Sequence, residues 1–422
     1  MICITHPNSF SRHRFKIERD VYMSKNKMVR LAVVGGGRGG TFSKVLGSLA
    51  DKAQLVAVCD HDEAVLHLWK EEFPEVRSYD NYERLLDDEQ VDAVFLATPL
   101  FIHARQAIQA LQAGKHVISE VIAITTLEEG WELIETVEKT GLTYMMAENY
   151  CFMRPNMMIN NMVQHGLFGD LVHVEGGYIH DVRNLTHYPD GKLTWRGNML
   201  KNYRGNTYPT HSLGPVAKWL DLHRNGEDQF DSLTTFVSEG LAGQIYYKEL
   251  FGEEHPGAGL DHWQQGDSAV TLIRTKKGKL ITLRYDIQSS RPHNMLHYAL
   301  QGTKGAYLSP RHHNEDPLIW LQGRSPGMSS DGSAEWEPLW NYADEWEHPL
   351  WQTWGSVAEQ AGHGGGDFFI LHEFVSAILD GTKPAVDVYD AVMWSSVFPL
   401  SVQSAAADGK PVKFVDFWGS KS

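Results

Sequence analysis

The sequence predicts an α/β protein: an N-terminal Rossmann domain with a parallel sheet over residues 29–150, then an α+β domain with a mostly antiparallel open sheet over residues 151–422. Three observations predict it. A short apolar strand runs straight into a glycine-rich turn, Gly35-Gly36-Gly37-Arg38-Gly39-Gly40. Strands then alternate with helical stretches as far as Tyr150, the grammar of crossover units and a parallel sheet. Beyond Tyr150 longer runs of alternating hydrophobicity take over, as in an antiparallel sheet with one face covered.

In order, residues 1–28 carry Arg12, His13, Arg14, Lys16, Arg19 and Lys25 without an apolar core. They lack the pattern of a secretory signal peptide and are expected to form a disordered extension, with Met23 or Met28 as alternative starts. Val29–Val34 is the first strand, followed by a helix from Thr41 to Ala50 and a second strand, Gln54–Cys59, ending at Asp60. Helices are expected at Glu63–Phe73, Tyr82–Leu86, His103–Ala113 (closed by Gly114) and Leu127–Thr140 (closed by Gly141), with strands Ala93–Ala97, Val117–Ser119 and Thr143–Ala147 between them. Glycine past the last helical residue is the usual stop signal. A helix over Pro155–His165 leads into the strands Leu171–His180, Ser268–Thr275, Lys279–Ile287 and Met295–Gln301. Helices Asp367–Leu379 and Tyr389–Ala406 close the chain.

The segment from Trp320 to Trp354 holds six tryptophans and is too irregular for a simple connector. It either borders a carbohydrate site, since sugar rings stack on aromatic faces, or is pinned by its own aromatics to the sheet or to another subunit.

Length and charge bound the function. A chain of 422 residues is long enough for two packed domains. A net charge of −15 argues against nucleic-acid or anionic-membrane partners. No run of about 18 or more apolar residues is present, so no spanning helix is expected. Cys3, Cys59 and Cys151 lack metal or disulfide spacing, and a reducing, cytoplasmic location is the default. His180 and His187 with Asp181 between them fit no ligand motif, so no metal is expected and they are read as loop residues.

Gly35-x-Gly37-x-x-Gly40 between strand and helix is the dinucleotide fingerprint: the first glycine permits the turn, the second admits the pyrophosphate, and the third lets helix meet strand. Asp60 ends the next strand, where an acid takes the adenosine ribose hydroxyls. Asp60-His61-Asp62 contains no cation for a 2′-phosphate, so the cofactor expected is NAD rather than NADP. Ala97-Thr98-Pro99 and Ser119-Glu120 also end strands at the nucleotide crevice.

With Ala97-Thr98-Pro99…His103 and Gly114-Lys115-His116-Val117…Glu120 the chain resembles the glucose–fructose oxidoreductase and inositol dehydrogenase superfamily. Relatives usually continue the second motif as Glu-Lys-Pro, and many place an aspartate four residues before the catalytic histidine. Here the positions read Glu120-Val121-Ile122 and Thr207…His211, which argues against a plain sugar dehydrogenase. Ala147-Glu148-Asn149-Tyr150, Gly176-Gly177-Tyr178, Trp195-Arg196-Gly197, Gly205 through Pro215 with its Tyr208-Pro209-Thr210-His211, Gly362-His363-Gly364-Gly365 and Asp387-Val388-Tyr389-Asp390-Ala391 look like glycoside hydrolase family 109, from about Val29 to Phe417. That resemblance implies hydrolysis of glycosides, with α-linked N-acetylgalactosamine the founding substrate, by a tightly bound NAD restored each turnover. C3 is oxidised, the C2 proton and C1 substituent leave by elimination, water adds, and C3 is reduced again. Glycosidases of this kind stand outside the two-carboxylate scheme.

On this reading His211, whose imidazole titrates near neutrality, is the O3 base or proton shuttle. Tyr178 acts at C2, given a lowered pKa or a polarised hydroxyl, and Tyr208 touches substrate and cofactor. Glu148 and Asn149 reach the nicotinamide ribose or the sugar. Arg196 binds substrate oxygens, with a surface ion pair as the alternative. The resemblance adds Arg38, Gly39, Thr98, Leu100, His103, Glu120, Val121, Asn149, Tyr208 and His211 to the NAD contacts. His293 stands where the family commonly has an aromatic residue and is expected at the substrate. Partners are then a small glycoside or oligosaccharide and further copies of the chain, as a dimer or tetramer. Two other readings stand beside it: a sugar or cyclitol dehydrogenase with net redox turnover, and a catalytically silent sugar-binding protein.

Overall fold

Six parallel strands, β1 (Val29–Val34), β2 (Ala53–Cys59), β3 (Arg77–Tyr79), β4 (Ala93–Leu96), β5 (His116–Ser119) and β6 (Tyr144–Met146), pair in the order β3-β2-β1-β4-β5-β6. The order reverses between β1 and β4, so a crevice opens at their carboxyl ends. The computed structural model describes residues 28–223, 226, 228–327 and 334–419. Apart from Met28, the expected N-terminal extension lies outside them.

The short strand β3 was not expected, because its three residues carry little apolar pattern. The helix expected at Thr41 begins earlier. Gly35 adopts φ +90°, the amide of Gly39 bonds back to the Gly35 carbonyl at 2.9 Å, and helical turns run from Gly36 to Gly47 with a 3-10 stretch at Gly40–Phe42. The glycine that allows close packing is also displaced by one. A Cβ at Gly39 would lie 2.2 Å from Val33 Cγ1, whereas one at Gly40 would meet nothing closer than 3.8 Å. Gly39, not Gly40, lets helix meet strand.

The second sheet has nine strands in the order β14-β13-β12-β11-β7-β10-β9-β8-β15. They are β7 (Leu171–Ile179), β8 (Phe230–Val237), β9 (Ser268–Thr275), β10 (Leu280–Asp286), β11 (Asn294–Gly302), β12 (Gly305–Leu308), β13 (Leu318–Leu321), β14 (Glu337–Pro338) and β15 (Val412–Lys413). All pairs are antiparallel except β7 with β10. In β9, Ala269, Thr271, Ile273 and Thr275 point inward while Val270 and Leu272 stay exposed. Helix Thr210–Trp219 lies on the inner face, so close that a Cβ at Gly176 of β7 would sit 1.9 Å from the Ser212 carbonyl oxygen.

The last helices return to the first sheet. The Met146 amide donates to the Val386 carbonyl (3.2 Å) and the Ala123 amide to Ser395 Oγ (3.0 Å). The single helix expected over Tyr389–Ala406 is two, Val388–Ser395 and Val397–Ala406. Pro399 has no amide to donate, and its ring crowds the Ser395 carbonyl. The tryptophan-rich segment is pinned inward at two points: Trp351 Nε1 donates to the Phe152 carbonyl at 2.9 Å, and the Arg154 guanidinium lies 5.0 Å from the Trp340 ring. No helix among the described residues is long and apolar enough to cross a membrane.

Candidate active site

At the crevice the glycine turn is shaped for a ligand that presses on backbone. The left-handed φ of Gly35 suits glycine, and a Cβ there would strike the Ala97 carbonyl oxygen at 2.6 Å. Nothing lies within 4 Å of where a Cβ at Gly37 would project, so that side of the turn is open. Asp60 Oδ2 accepts from the Gly36 amide (2.8 Å) and Oδ1 from the Asp62 amide (3.0 Å), which fixes the acid against the turn. An open glycine backbone beside an oriented carboxylate fits a dinucleotide with free ribose hydroxyls.

The next two strand ends are tied together. His103 is buried between the carbonyls of Thr98 (Nε2, 2.7 Å) and Ile122 (Nδ1, 3.0 Å), and burial lowers its pKa. It therefore shapes the loops after β4 and β5 rather than facing the crevice. Thr98 Oγ1 donates to Gln106 Oε1 at 2.6 Å, and Leu100 packs beneath. Arg38 Nε donates to Glu120 Oε1 at 2.7 Å, bridging the turn to the end of β5 beside buried Val121.

Glu148 and Asn149 follow β6, and both are buried. Glu148 is fully buried, and its Oε1 accepts from His211 Nδ1 at 2.8 Å. That carboxylate holds the imidazole by its Nδ1. Asn149 Nδ2 donates to Asp367 Oδ1 at 2.7 Å. His211 opens helix Thr210–Trp219, and its ring centroid lies 5.1 Å from that of Tyr178 and 5.3 Å from that of Tyr208. Tyr178, near the end of β7, and Tyr208 lie 5.5 Å apart.

Burial raises the pKa of Tyr178, with Arg196 and Arg38 pulling the other way, so of the two conditions set for that phenol the lowered pKa is not met. Tyr208 is raised likewise by burial. The Arg196 guanidinium stacks 4.3 Å from the Trp195 ring and 5.7 Å from the Tyr208 ring. Among the described residues it makes no ion pair, so its charge remains available to a ligand.

His180 follows β7 and lies outside any strand, as read from the sequence, but it comes close to other rings of the site. Its ring lies 3.6 Å from that of His293 and 5.8 Å from that of Tyr178. Burial, then Arg196, lowers His180 to about 4; burial, then His180, lowers His293 to about 4. Both imidazoles are neutral at physiological pH. His187, by contrast, stays in the loop, with Nε2 2.9 Å from the Tyr246 hydroxyl. No group of three or more potential metal ligands converges among the described residues.

Sequence reasoning gave no site role to three further side chains, two of which, His363 and Tyr150, it had quoted only within motifs. His363 Nδ1 lies 2.9 Å from Asp367 Oδ2; burial acts most strongly on that carboxyl, but His363, Asn149 and Arg38 together outweigh it and hold it below the usual carboxylate range. His363 has φ +51° and is followed by Gly364 at +58° and Gly365 at +89°, a left-handed run that aims the ring. Such backbone in a non-glycine residue collects at functional sites. The glycines around His363 were the signal available. Tyr150 stands between the two histidines, its ring 4.0 Å from that of His211 and 6.1 Å from that of His363.

The site thus holds two imidazoles, each backed by a buried carboxylate, with two phenols and an unpaired guanidinium. Residues 29–148 match the model of the oxidoreductase family with an NAD-binding Rossmann fold, and residues 152–421 match that of the glycosyl hydrolase 109 C-terminal domain. A glycosyl hydrolase family 109 protein of Solibacter usitatus is 36% identical over 414 residues, covering 95% of this chain and 91% of its own. An alpha-N-acetylgalactosaminidase of Shewanella oneidensis is 35% identical over 405 residues, covering 93% and 86%. The fold is shared with levoglucosan dehydrogenase in complex with NADH and levoglucosan, at a TM-score of 0.72 and 19% identity over 92% of this chain and 100% of that one. An oxidoreductase domain protein from Kribbella flavida aligns at the same TM-score of 0.72 with 18% identity, over 93% and 100%. By its paired NAD-binding and C-terminal halves, and by its likeness to these relatives along nearly its whole length, the chain belongs to glycosyl hydrolase family 109.

Proposed function

We propose that this protein is an NAD-dependent glycosidase acting on small glycosides of the α-N-acetylgalactosaminide type. One observation carries the reading: the carboxylates at the sugar end are hidden. Glu148 and Asp367 sit behind His211 and His363, and Glu120 is paired with Arg38. A two-carboxylate hydrolysis needs acids flanking the scissile bond. Here the groups facing the cavity are imidazoles and phenols, suited to moving O–H and C–H protons near neutral pH.

NAD, held by the glycine turn, Asp60 and the loops after β4 and β5, would supply reversible hydride acceptance at C3, which acidifies the C2 proton. His211 Nε2 takes the O3 proton while Glu148 holds Nδ1–H and so sets the tautomer. Tyr178, beside His211 on the sheet, acts at C2. His363, backed by Asp367, serves the departing oxygen. Arg196 holds sugar oxygens, Tyr208 forms the wall between sugar and cofactor, and the His180–His293 pair lines the rim. Redox elimination builds no cation at C1, so either anomer is open to this chemistry. The exposed apolar residues of the second sheet, among them Phe236, Val270 and Leu272, support pairing of copies through that face.

The likeness of fold to a dehydrogenase keeps net sugar oxidation as the second reading. Incubation of the purified protein with aryl glycosides in deuterated water, without added NAD, separates the two. Aglycone release with deuterium at C2 is expected. Stoichiometric NADH with oxidised sugar and no aglycone would replace this reading with the dehydrogenase, and binding without turnover would leave a silent sugar-binding protein.

A further inference from the structure

Tyr150 has no part in the reaction as outlined, yet it touches both members of the His211–Glu148 pair. Its amide donates to Glu148 Oε1 at 3.2 Å, the same oxygen that accepts from His211 Nδ1 at 2.8 Å. Its side chain lies face to face with the imidazole, centroids 4.0 Å apart and planes within 12°. The backbone at this point is anchored in turn, since the Tyr150 carbonyl accepts from Asn156 Nδ2 at 2.8 Å. Tyr150 is 1% exposed, so no water competes for the stacked face.

We propose that Tyr150 is a positioning residue for His211: its ring face, not its hydroxyl, holds the imidazole in one plane and stabilises its protonated form. The face of an aromatic ring is electron-rich and attracts a cation resting on it. Glu148 meets the imidazole at its edge and Tyr150 at its face, so protonation is supported from two directions. The other rings against His211 do not share this geometry. Tyr178 is tilted by 52° at 5.1 Å, and Tyr208 meets it edge-on at 5.3 Å. The other charged or titratable groups around this cluster include Arg196, Arg38, Glu120, Cys151, His180, His293, and His363 with Asp367; the structure records none of them stacked on the imidazole. Tyr298 donates its hydroxyl to the His211 carbonyl at 2.6 Å and so fixes the backbone rather than the ring.

The hydrolytic consequence rests on the glycosidase reading; the state of the imidazole does not. The test therefore follows the imidazole directly, by nitrogen-15 NMR titration of histidine-labelled protein, with the His211 resonance assigned by its loss in His211→Gln. Tyr150→Phe keeps the ring and is expected to titrate with the parent protein. Tyr150→Met keeps volume without the ring, and its His211 midpoint is expected to fall by about half a unit to one and a half units. In parallel, the acid limb of kcat/KM for aryl glycosides moves to lower pH in the Met variant. Its kcat drops by about tenfold with little change in KM, because the imidazole loses its fixed plane. A Met variant that titrates with the parent overturns the proposal, and so does a Phe variant that moves as far as Met, since the hydroxyl would then be the active part. If the titrations behave as stated and no aglycone is ever released, the glycosidase reading falls and the positioning role stands.

Discussion

Replacing Gly176 by alanine asks whether the second sheet, rather than the local chain, places His211. The added Cβ would lie 1.9 Å from the Ser212 carbonyl oxygen and 2.9 Å from its carbon, both backbone atoms that cannot rotate away. A carbon–oxygen contact settles at about 3.4 Å, so the start of helix Thr210–Trp219 must lift by about 1.5 Å. Overpacking of this kind costs about 1–3 kcal/mol. His211 is the residue immediately before Ser212, and its bond to Glu148 is already 2.8 Å, so the lift breaks it or drags the ring off its aim. Misplacement of a reacting group by about 1 Å costs about 10²-fold in rate. The assay is aryl glycoside hydrolysis at saturating substrate beside thermal unfolding, with Gly47→Ala as control, a helical glycine whose added Cβ meets nothing within 4 Å. The expected result is a folded Gly176→Ala protein of lowered melting temperature with kcat down about 10²-fold, and a control indistinguishable from the parent. Full activity and an unchanged melt in Gly176→Ala would refute the reasoning, because the helix would then not be resting on β7.

Glu148→Gln should retain bound NAD while lowering kcat by about 10²–10⁴-fold, since the amide no longer stabilises a protonated His211; loss of the cofactor along with activity would contradict a role confined to the imidazole. His363→Gln should lower kcat for glycosides with poor leaving groups far more than for activated aryl glycosides, which a leaving-group series checks directly. Asp60→Ala should weaken NAD about 10- to 100-fold, read by fluorescence titration, because a charged acceptor at the turn is lost. Stability should fall as pH drops from about 6.5 toward 4. Over that window the unfolded chain binds protons that folded His180 and His293, both lowered to about 4, do not. The double variant His180→Gln/His293→Gln should flatten that part of the melting-temperature profile, and an unchanged profile would show that other groups set it.

Much of the frame was legible because its signals are local. A glycine that must take φ +90° at position 35, a strand of alternating burial at 268–275, and glycines closing helices at 114 and 141 each depend on a few neighbouring residues. The glycine turn and the acid at Asp60 were readable for the same reason, which is why a dinucleotide site could be proposed before any contact was known. Where tertiary packing competes with local pattern, the reading slipped. The helix-packing glycine is Gly39 because Val33 of β1 faces it, and helix Tyr389–Ala406 divides at Ser396 because the proline ring meets a carbonyl one turn back.

The candidate site divides the same way. Residue types with proton chemistry in distinctive segments, His211 after Tyr208-Pro209 and Tyr178 after two glycines, mark themselves in the chain. Which carboxylate stands behind which imidazole does not. Glu148 meets His211 across 63 residues, and Asn149 meets Asp367 across 218, because the last helices fold back onto the first sheet. His180 is a loop residue as read, but its contact with His293, just before β11, joins positions far apart in the chain and was not legible. By itself the sequence determined the kind of fold, the nucleotide turn and the stock of acid–base groups, since these follow from backbone preference and hydrophobic period over short spans. Only the tertiary structure decided that Glu148 and Asp367 are buried partners of His211 and His363, because burial and pairing are set by packing between segments far apart in the chain.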